Sequence, residues 1–389
     1  MQSKRIYFDH AATSWPKSEA ATAAAEDYIR RCGATSGRGA YASARVADEI
    51  LRNARRRIAT LIGAENEDAV ALCSSGTHAL NAAIQGWIRP GDRIITTVIE
   101  HNSVLRPLEH LRETIGIEII HIACDARGVV EVESAHRAAR QPAAAVIINH
   151  ASNVTGAVQD LTAWRAVADA CGALLIVDGS QSLGHVPVSM QEGRIDALAA
   201  AGHKGLGGLS GSGILVAGRQ LQEQLTPLMF GGTGVASEEI NHTPHWPHSV
   251  EVGNLNLPAV ASLAESTAAL LESTPLNNPQ AELADQLLSG LSSLIDDGAV
   301  TIHGGADRAA AQLPIVSMTF RDWDIHEVAA VLDSQFGIEV RAGLHCAGMI
   351  HDYIGSRTRG GTLRVSFGHG SMQSDVEELV AALKAILSV

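Results

Sequence analysis

The 389-residue chain has few aromatic side chains, no closely paired cysteines and no long apolar run. Aromatic residues make up 4% of it, against 46% hydrophobic residues and 37 glycines, so we expect helices to pack closely on a sheet through small side chains. The five cysteines, at 32, 73, 124, 171 and 346, include no Cys-x-x-Cys pair. That pattern argues against a zinc site or a disulfide framework and favours reduced thiols in a cytoplasm.

Positive charge is also scarce. The formal net charge is −13 and the Lys and Arg residues are scattered, whereas binding to nucleic acid or an anionic membrane requires a basic face. No segment approaches the roughly 18 consecutive apolar residues of a membrane span, and the N-terminus lacks the apolar core of a secretory signal. We therefore expect a cytoplasmic protein with neither nucleic-acid nor membrane partners.

Short apolar runs alternate with segments of helical periodicity. Continuous apolar strands separated by helices are typical of a mostly parallel sheet covered on both faces, and seven such runs predict a seven-stranded α/β sheet. The predicted strands are residues 69–73, 93–99, 117–122, 143–149, 173–178, 195–201 and 213–217.

A change of pattern after residue 225 predicts a second domain. A loop rich in Gly, Pro, His and Thr runs to about residue 258, and helices and strands alternate beyond it. We predict a large domain over residues 14–255 and a smaller α+β domain built from residues 1–13 and 256–389.

Lys204 and Asp178 supply the chemistry that stands out most. Lys204 opens a glycine-rich loop after one apolar run, and Asp178 ends another. An amine can form a Schiff base with a carbonyl cofactor, and a carboxylate can keep a pyridine nitrogen protonated. An isolated Lys would more often be a surface residue and an isolated Asp a helix cap, but the pair indicates pyridoxal phosphate chemistry.

Seven stretches, in order along nearly the whole chain, resemble the class V aminotransferase family of pyridoxal phosphate enzymes, and the cysteine desulfurases in particular. They are residues 7–13, 75–81, 100–103, 150–156, 178–182, 202–204 and 340–346. The resemblance implies fold type I of the pyridoxal phosphate enzymes, and a homodimer with active sites between subunits.

The resemblance also implies a role for individual residues. Lys204 would hold the cofactor and move the substrate Cα proton, while His101 would stack on the pyridine ring and carry protons. Arg364 would grip the substrate carboxylate, helped by Asn153 and Arg341, because a guanidinium binds a carboxylate through two parallel hydrogen bonds. The residues assigned to the cofactor are Gly76, Thr77, His78, His101, Asn153, Asp178, Gln181, His203, Lys204 and Asn254.

The phosphate pocket departs from the family pattern. His78, Ala201 and Asn254 stand where the family usually has hydroxyl residues. The Ser-Gly-Thr-His segment at 75–78 still offers backbone N–H groups at a predicted helix start, which is a common anion site. We expect His78, His203 and Asn254 to replace the missing donors, with Asn254 acting across the dimer interface.

Cys346 selects among the reactions of the family. In the desulfurases that it resembles, a cysteine thiolate takes sulfur from substrate cysteine and becomes a persulfide, and Arg341 and His345 would favour the thiolate. The short spacing of residues 341–348 resembles the subgroup with an ordered cysteine loop, which passes sulfur to a protein acceptor. The alternative is a packed loop cysteine in a relative with other chemistry.

These observations predict an enzyme that converts L-cysteine to L-alanine. The alternatives are another class V reaction, by an aminotransferase, an epimerase or a selenocysteine lyase, or a non-catalytic scaffold that has lost the cofactor. We predict no metal site, since His242, His245 and His248 lie three apart in a Pro-interrupted stretch and do not share a helix face.

Overall fold

The computed structural model describes residues 5–37, 39–232, 240, 245–273, 279–304 and 312–388. A seven-stranded sheet has the strand order β2-β8-β7-β6-β5-β3-β4. The bounds of its strands are β2 Val70–Cys73, β3 Arg93–Thr97, β4 Glu118–Ile122, β5 Ala145–Asn149, β6 Leu174–Asp178, β7 Ala197–Ala201 and β8 Gly213–Ala217. All seven strands fall within the predicted runs.

Alternate residues along the central strands enter two different hydrophobic cores. Ile148 and Val177 belong to one core, and Ile147 and Ile176 belong to the other. Because successive side chains point to opposite faces of a strand, helices cover both faces of this sheet. The pairs from β4 to β7 are parallel, whereas β8 runs antiparallel to both of its neighbours.

The described helices of the first part of the chain connect and cover these strands. They are α1 Glu19–Asp27, α2 Ala42–Leu61, α3 Gly76–Trp87, α4 Asn102–Ile115, α5 Val132–Ala138, α6 Leu161–Cys171 and α7 Arg219–Gln224. None of the helices in the described ranges is both long and apolar enough to cross a membrane.

A smaller antiparallel sheet follows, with strand order β12-β13-β10-β9. Its strands are β9 Val300–His303, β10 Ile315–Phe320, β12 Arg341–Gly343 and β13 Thr362–Ser366, and the separate pair β1 Ile6–Tyr7 and β11 Ile338–Glu339 is parallel. The helices of this part are α8 Leu257–Glu272, α9 Pro279–Gly290, α10 Ser292–Asp296, α11 Ile325–Phe336, α12 Ile350–Tyr353 and α13 Gln373–Leu387.

The packing of the N-terminal strand and of α8 bears on where the boundary between the two domains lies. The division into domains itself stays a prediction. Ile6 and Phe8 enter the core of the small sheet, so the N-terminal strand packs with the C-terminal part of the chain. In contrast, α8 contributes Leu257, Val260 and Leu263 to a core of the large sheet. This packing favours a boundary after α8 rather than at residue 255.

Glu100 ties the carboxyl ends of two parallel strands together. It is fully buried, and its Oε1 accepts hydrogen bonds from Thr97 Oγ1 at 2.5 Å and from the Asn149 backbone N–H at 2.9 Å. Burial raises the pKa of the Glu100 carboxyl to about 8, although these two hydrogen bonds oppose the shift. The carboxyl group is therefore mostly protonated at neutral pH.

This raised pKa predicts a pH-dependent effect of Glu100→Gln on stability. An unfolded Glu titrates near about 4.3, so folding takes up a proton between that pH and about 8, and the contribution of Glu100 to stability is lost as the pH rises through this window. Gln does not titrate. Urea titrations at pH 5 and at pH 8 give the free energy of unfolding of both proteins. The value for the variant minus the value for the wild type should be at least about 1 kcal/mol more positive at pH 8 than at pH 5. An unchanged difference would contradict the raised pKa.

Candidate active site

A cavity that is partly open to solvent lies at the carboxyl edge of the large sheet. Parallel strands end at the same edge, where α/β sheets commonly bind ligands. Strands β5, β6 and β7 of the large sheet meet strands β12 and β13 of the small sheet here. The predicted site residues that line it are Gly76, Thr77, His101, Asn153, Asp178, Gln181, His203, Lys204, Arg341, Cys346 and Arg364.

Lys204 and Asp178 come from neighbouring parallel strands. Asp178 is the last residue of β6 and is 3% exposed, and Lys204 follows the end of β7 by three residues. Burial lowers the pKa of Lys204 to about 8, and Arg364 and Arg341 lower it further, whereas Asp178 opposes the shift. The amine therefore has a substantial neutral fraction in mildly alkaline solution, as a nucleophilic amine requires.

His101 is the N-cap of α4, and this role determines its tautomer. Its Nδ1 accepts from the Ser103 backbone N–H at 3.0 Å and lies 2.7 Å from Ser103 Oγ. Burial lowers the pKa of His101. A neutral imidazole whose Nδ1 accepts must carry its proton on Nε2, so this nitrogen is the donor in the cavity.

The first turn of α3 forms one wall of the cavity. Ser75 caps the helix by accepting from the His78 backbone N–H at 3.1 Å, and Thr77 Oγ1 lies 2.9 Å from Ser103 Oγ. A Cβ on Gly76 would stand 2.9 Å from the Ala201 backbone nitrogen, so glycine is needed for this helix start to approach β7 so closely. The free N–H groups and the helix dipole make this wall suitable for an anion.

His78 and Asn254 do not line this cavity. Both line a neighbouring one, where His78 Nδ1 accepts from the Ser74 backbone N–H at 3.3 Å. The expectation that His78 replaces a phosphate donor finds no support in this geometry, because its ring faces the second cavity. The role of Asn254 across a dimer interface stays a prediction.

Arg364 is anchored by residues from two distant parts of the chain. It is 2% exposed, and it donates to Asp9 Oδ1 at 2.5 Å and to the Asn153 carbonyl at 3.0 Å. Its Nε and the Asn153 Oδ1 are both buried with no hydrogen-bond partner among the described residues. Arg341 lies 3.8 Å from the other Asp9 oxygen, so one carboxylate already faces both arginines predicted to bind the substrate.

Gln181 and His203 contact the N-terminal segment that covers the site. Gln181 Nε2 donates to the Ala11 carbonyl at 2.8 Å, and His203 Nδ1 lies 3.0 Å from Thr13 Oγ1. Burial lowers the pKa of His203 to about 4, so its ring is neutral at physiological pH. Gln181 keeps a second amide hydrogen for a ligand.

Cys346 lies exposed in a tight turn on the rim of the cavity. The expectation that His345 helps to form the thiolate is wrong. Burial places the pKa of His345 well below its ordinary value, and its Nε2 bonds to the Thr362 carbonyl at 3.0 Å. The ring is therefore neutral, and it cannot stabilise a negative sulfur by its charge.

Three residues that organise the site have no role predicted from the sequence. Asp9 neutralises the buried Arg364, Ser103 fixes the His101 ring, and Ser180 donates its backbone N–H to Asp178 Oδ1 at 2.9 Å. Asp9 lies inside residues 7–13, a stretch that resembles the family. An acidic residue there, together with an arginine inside an apolar strand, was the signal that could have predicted their pairing.

No group of metal-binding side chains occurs among the described residues, and His242 lies outside them.

Sequence comparison shows similarity over almost the whole chain. The family model described as aminotransferase class-V matches residues 6–379. A probable cysteine desulfurase of Methanothermobacter thermautotrophicus is 30% identical, over 98% of this chain and 94% of that protein. Cysteine desulfurase CsdA of Escherichia coli is 28% identical, over 100% of this chain and 96% of that protein.

Solved structures show the same similarity. The apo structure of cysteine desulfurase from Thermococcus onnurineus NA1 has a TM-score of 0.90 at 26% identity, covering 99% of this chain and 95% of that one. The crystal structure of CsdA (S-sulfonic acid) from Escherichia coli has a TM-score of 0.85 at 25% identity, with the same coverage. These neighbours confirm the predicted α/β fold.

The Asp9–Arg364 pair predicts a stability effect at this site. Asp9→Asn leaves a guanidinium that is 2% exposed without its counter-ion, which should lower the free energy of unfolding by about 3 kcal/mol. The matched control is Glu339→Gln, which removes the partner of the exposed Arg5 and should cost less than about 1 kcal/mol. Urea titration of both variants measures the difference, and equal losses would contradict the burial argument.

Proposed function

The chain belongs to the aminotransferase class-V family, and on this basis we propose that it is a pyridoxal 5′-phosphate-dependent cysteine desulfurase. The match over residues 6–379 establishes the predicted family, and relatives named cysteine desulfurases align with the whole chain. The observation that carries the proposal is the shared cavity, in which Lys204 and Asp178 lie together with Arg364 and the exposed Cys346.

The side chains of the cavity fit this cofactor. The Lys204 amine matches its aldehyde, the Asp178 carboxylate matches its pyridine nitrogen, and Gln181 offers a donor for its phenolate oxygen. The first turn of α3 suits its phosphate, because the start of this helix lines the cavity and its first N–H groups are free to bind an anion. When bound, the cofactor supplies an electron sink for negative charge that develops on an amino-acid substrate.

Two groups of the chain handle protons. Lys204 has a pKa lowered to about 8, so its amine can accept a proton from the substrate Cα and return it near neutral pH. His101 carries its proton on Nε2, because Nδ1 is engaged by Ser103, and it can donate that proton within the cavity.

The substrate carboxylate is held by Arg364. Its Nε has no hydrogen-bond partner among the described residues, so the guanidinium retains donor capacity beyond its bonds to Asp9 and Asn153. Asn153 Oδ1, equally without a partner in that part of the chain, can accept from the substrate amine. Arg341 adds positive charge at the exposed side.

Cys346 receives the sulfur. Its thiolate forms an S–S bond with the sulfur of L-cysteine, and the Cβ–S bond of the substrate breaks with its electron pair remaining on carbon, which is then protonated. The enzyme thiol and L-cysteine thereby give a Cys346 persulfide and L-alanine. Because Cys346 is exposed, the persulfide is open to a protein acceptor. A homodimer and a cytoplasmic location complete the proposal, as the family resemblance implies.

A product assay tests this function. Purified holoenzyme given L-cysteine should form L-alanine and, with a reductant, an equal amount of sulfide. Cys346→Ala should lower both by at least about 100-fold while the visible cofactor band remains, because only the nucleophile is lost. The matched control is Cys32→Ala, at the other cysteine that is not fully buried, and it should retain the activity.

Other outcomes identify the alternatives. Release of a keto acid would indicate transamination, racemised amino acid an epimerase, and activity confined to L-selenocysteine a selenocysteine lyase. A protein that takes up no cofactor would be the non-catalytic scaffold. If Cys346→Ala forms alanine and sulfide normally, the persulfide step is wrong.

The lowered pKa of Lys204 predicts the pH dependence of cofactor attachment. Only the neutral amine attacks an aldehyde, so the rate at which the apo-protein gains its visible band should rise with pH up to a midpoint near 8. Below that midpoint the rate should fall about tenfold per pH unit. Lys204→Arg should gain no band. A midpoint near that of an ordinary lysine, at about 10.4, would contradict the effect of burial.

A further inference from the structure

The turn that carries Cys346 has an unusual backbone. His345 and Cys346 have φ angles of +51° and +58°, a left-handed conformation that residues other than glycine rarely adopt. Such a conformation persists only where surrounding contacts enforce it. Contacts outside the turn must therefore hold the sulfur in place.

The carbonyl groups of three consecutive residues supply these contacts. The Cys346 carbonyl accepts from the Asn102 backbone N–H at 2.7 Å, and the His345 carbonyl accepts from Asn153 Nδ2 at 2.7 Å. The Leu344 carbonyl lies 3.2 Å from His351 Nε2. Asn102 is the first residue of α4 and Asn153 lies in the turn after β5, whereas His351 belongs to the short helix α12.

His351 is fully buried, and its hydrogen bonds fix both ring nitrogens. Burial lowers its pKa to about 4, so the ring holds one proton at neutral pH. A carbonyl oxygen only accepts, hence the proton sits on Nε2 and is donated to Leu344. Nδ1 must then accept, and Ser356 Oγ, 2.7 Å away, donates to it. Ser356 is itself completely buried and its backbone N–H donates to the His351 carbonyl at 3.1 Å.

We propose that His351, oriented by Ser356, is a positioning residue that holds the Cys346 turn in the geometry needed for sulfur transfer. The inference rests on the proposed function and extends it to a residue that does not touch the cavity. The His351 ring bonds to Leu344 and Ser356 and not to Lys204, Asp178 or Arg364, so the cofactor and the substrate should bind normally without this contact. Only the step that uses Cys346 should slow.

Two substitutions separate the donor from the rest of the ring. Gln places an amide N–H near the position of Nε2, so His351→Gln keeps a donor for Leu344. Asn places its amide near the position of Nδ1, so His351→Asn keeps a partner for Ser356 and loses the donor. The matched control is His303→Asn, at another buried histidine with two partners, the Ile354 carbonyl and Thr319.

In desulfuration of L-cysteine, His351→Asn should lower kcat about tenfold or more, since small misplacements of reacting groups have large effects, with KM within about twofold. His351→Gln should recover most of the loss, and His303→Asn should keep the wild-type kcat. The change of the visible band on adding L-alanine, which has no sulfur to transfer, should be the same in all four proteins. Equal kcat values in the two His351 variants, whether high or low, would overturn the proposal.

Alkylation of Cys346 by iodoacetamide gives a second test that does not depend on desulfuration. Release of the turn should raise the rate at Cys346, followed by peptide mass, at least about threefold in His351→Asn, because a turn that opens locally presents the already exposed sulfur to the reagent in more orientations. His351→Gln should react like the wild type. Equal rates in the three proteins would overturn the proposed role of His351. A wild type that is alkylated as expected and yet forms no alanine would instead overturn the proposed function.

Discussion

The burial of one amine beside one carboxylate is the constraint on which the site depends. Asp178 ends β6, and Lys204 lies three residues beyond the end of the adjacent parallel strand β7. Low polarity lowers the pKa of the amine to about 8, because a buried ammonium loses its hydration. The same burial requires every other charge in the cavity to have a partner, and the remaining contacts follow from that requirement.

The partners come from distant parts of the chain, and one of them, Asn153, joins the small sheet to the large one. Asp9, from the N-terminal segment, neutralises Arg364 of β13, while Asn153 donates to the turn that carries Cys346. The groups that would bind substrate are therefore the groups that link the two sheets. A substrate carboxylate reaching Arg364 must share the guanidinium with Asp9.

Sequence reasoning predicted the large sheet well because its strands are continuous apolar runs that end in polar residues. Lys204 and Asp178 could be predicted because each stands at or just beyond the end of an apolar run, whereas His101 and Cys346 could be predicted only through the resemblance to the family. Contacts between residues far apart in sequence could not be found. The Asp9 and Arg364 pair spans 355 positions, and the neutral state of His345 depends on burial that only the fold creates. The orientation of His78 toward a second cavity likewise depends on packing around α3.

Mapping the site of covalent cofactor attachment tests the central claim most directly. The protein is incubated with pyridoxal 5′-phosphate, reduced with sodium borohydride and digested, and the modified lysine is located by mass spectrometry. The account predicts modification at Lys204. Lys17 is the instructive competitor, because its pKa is also lowered to about 8 and its amine lies 2.8 Å from the His203 carbonyl. Modification of Lys17 with Lys204 free, or of no lysine at all, would contradict the account.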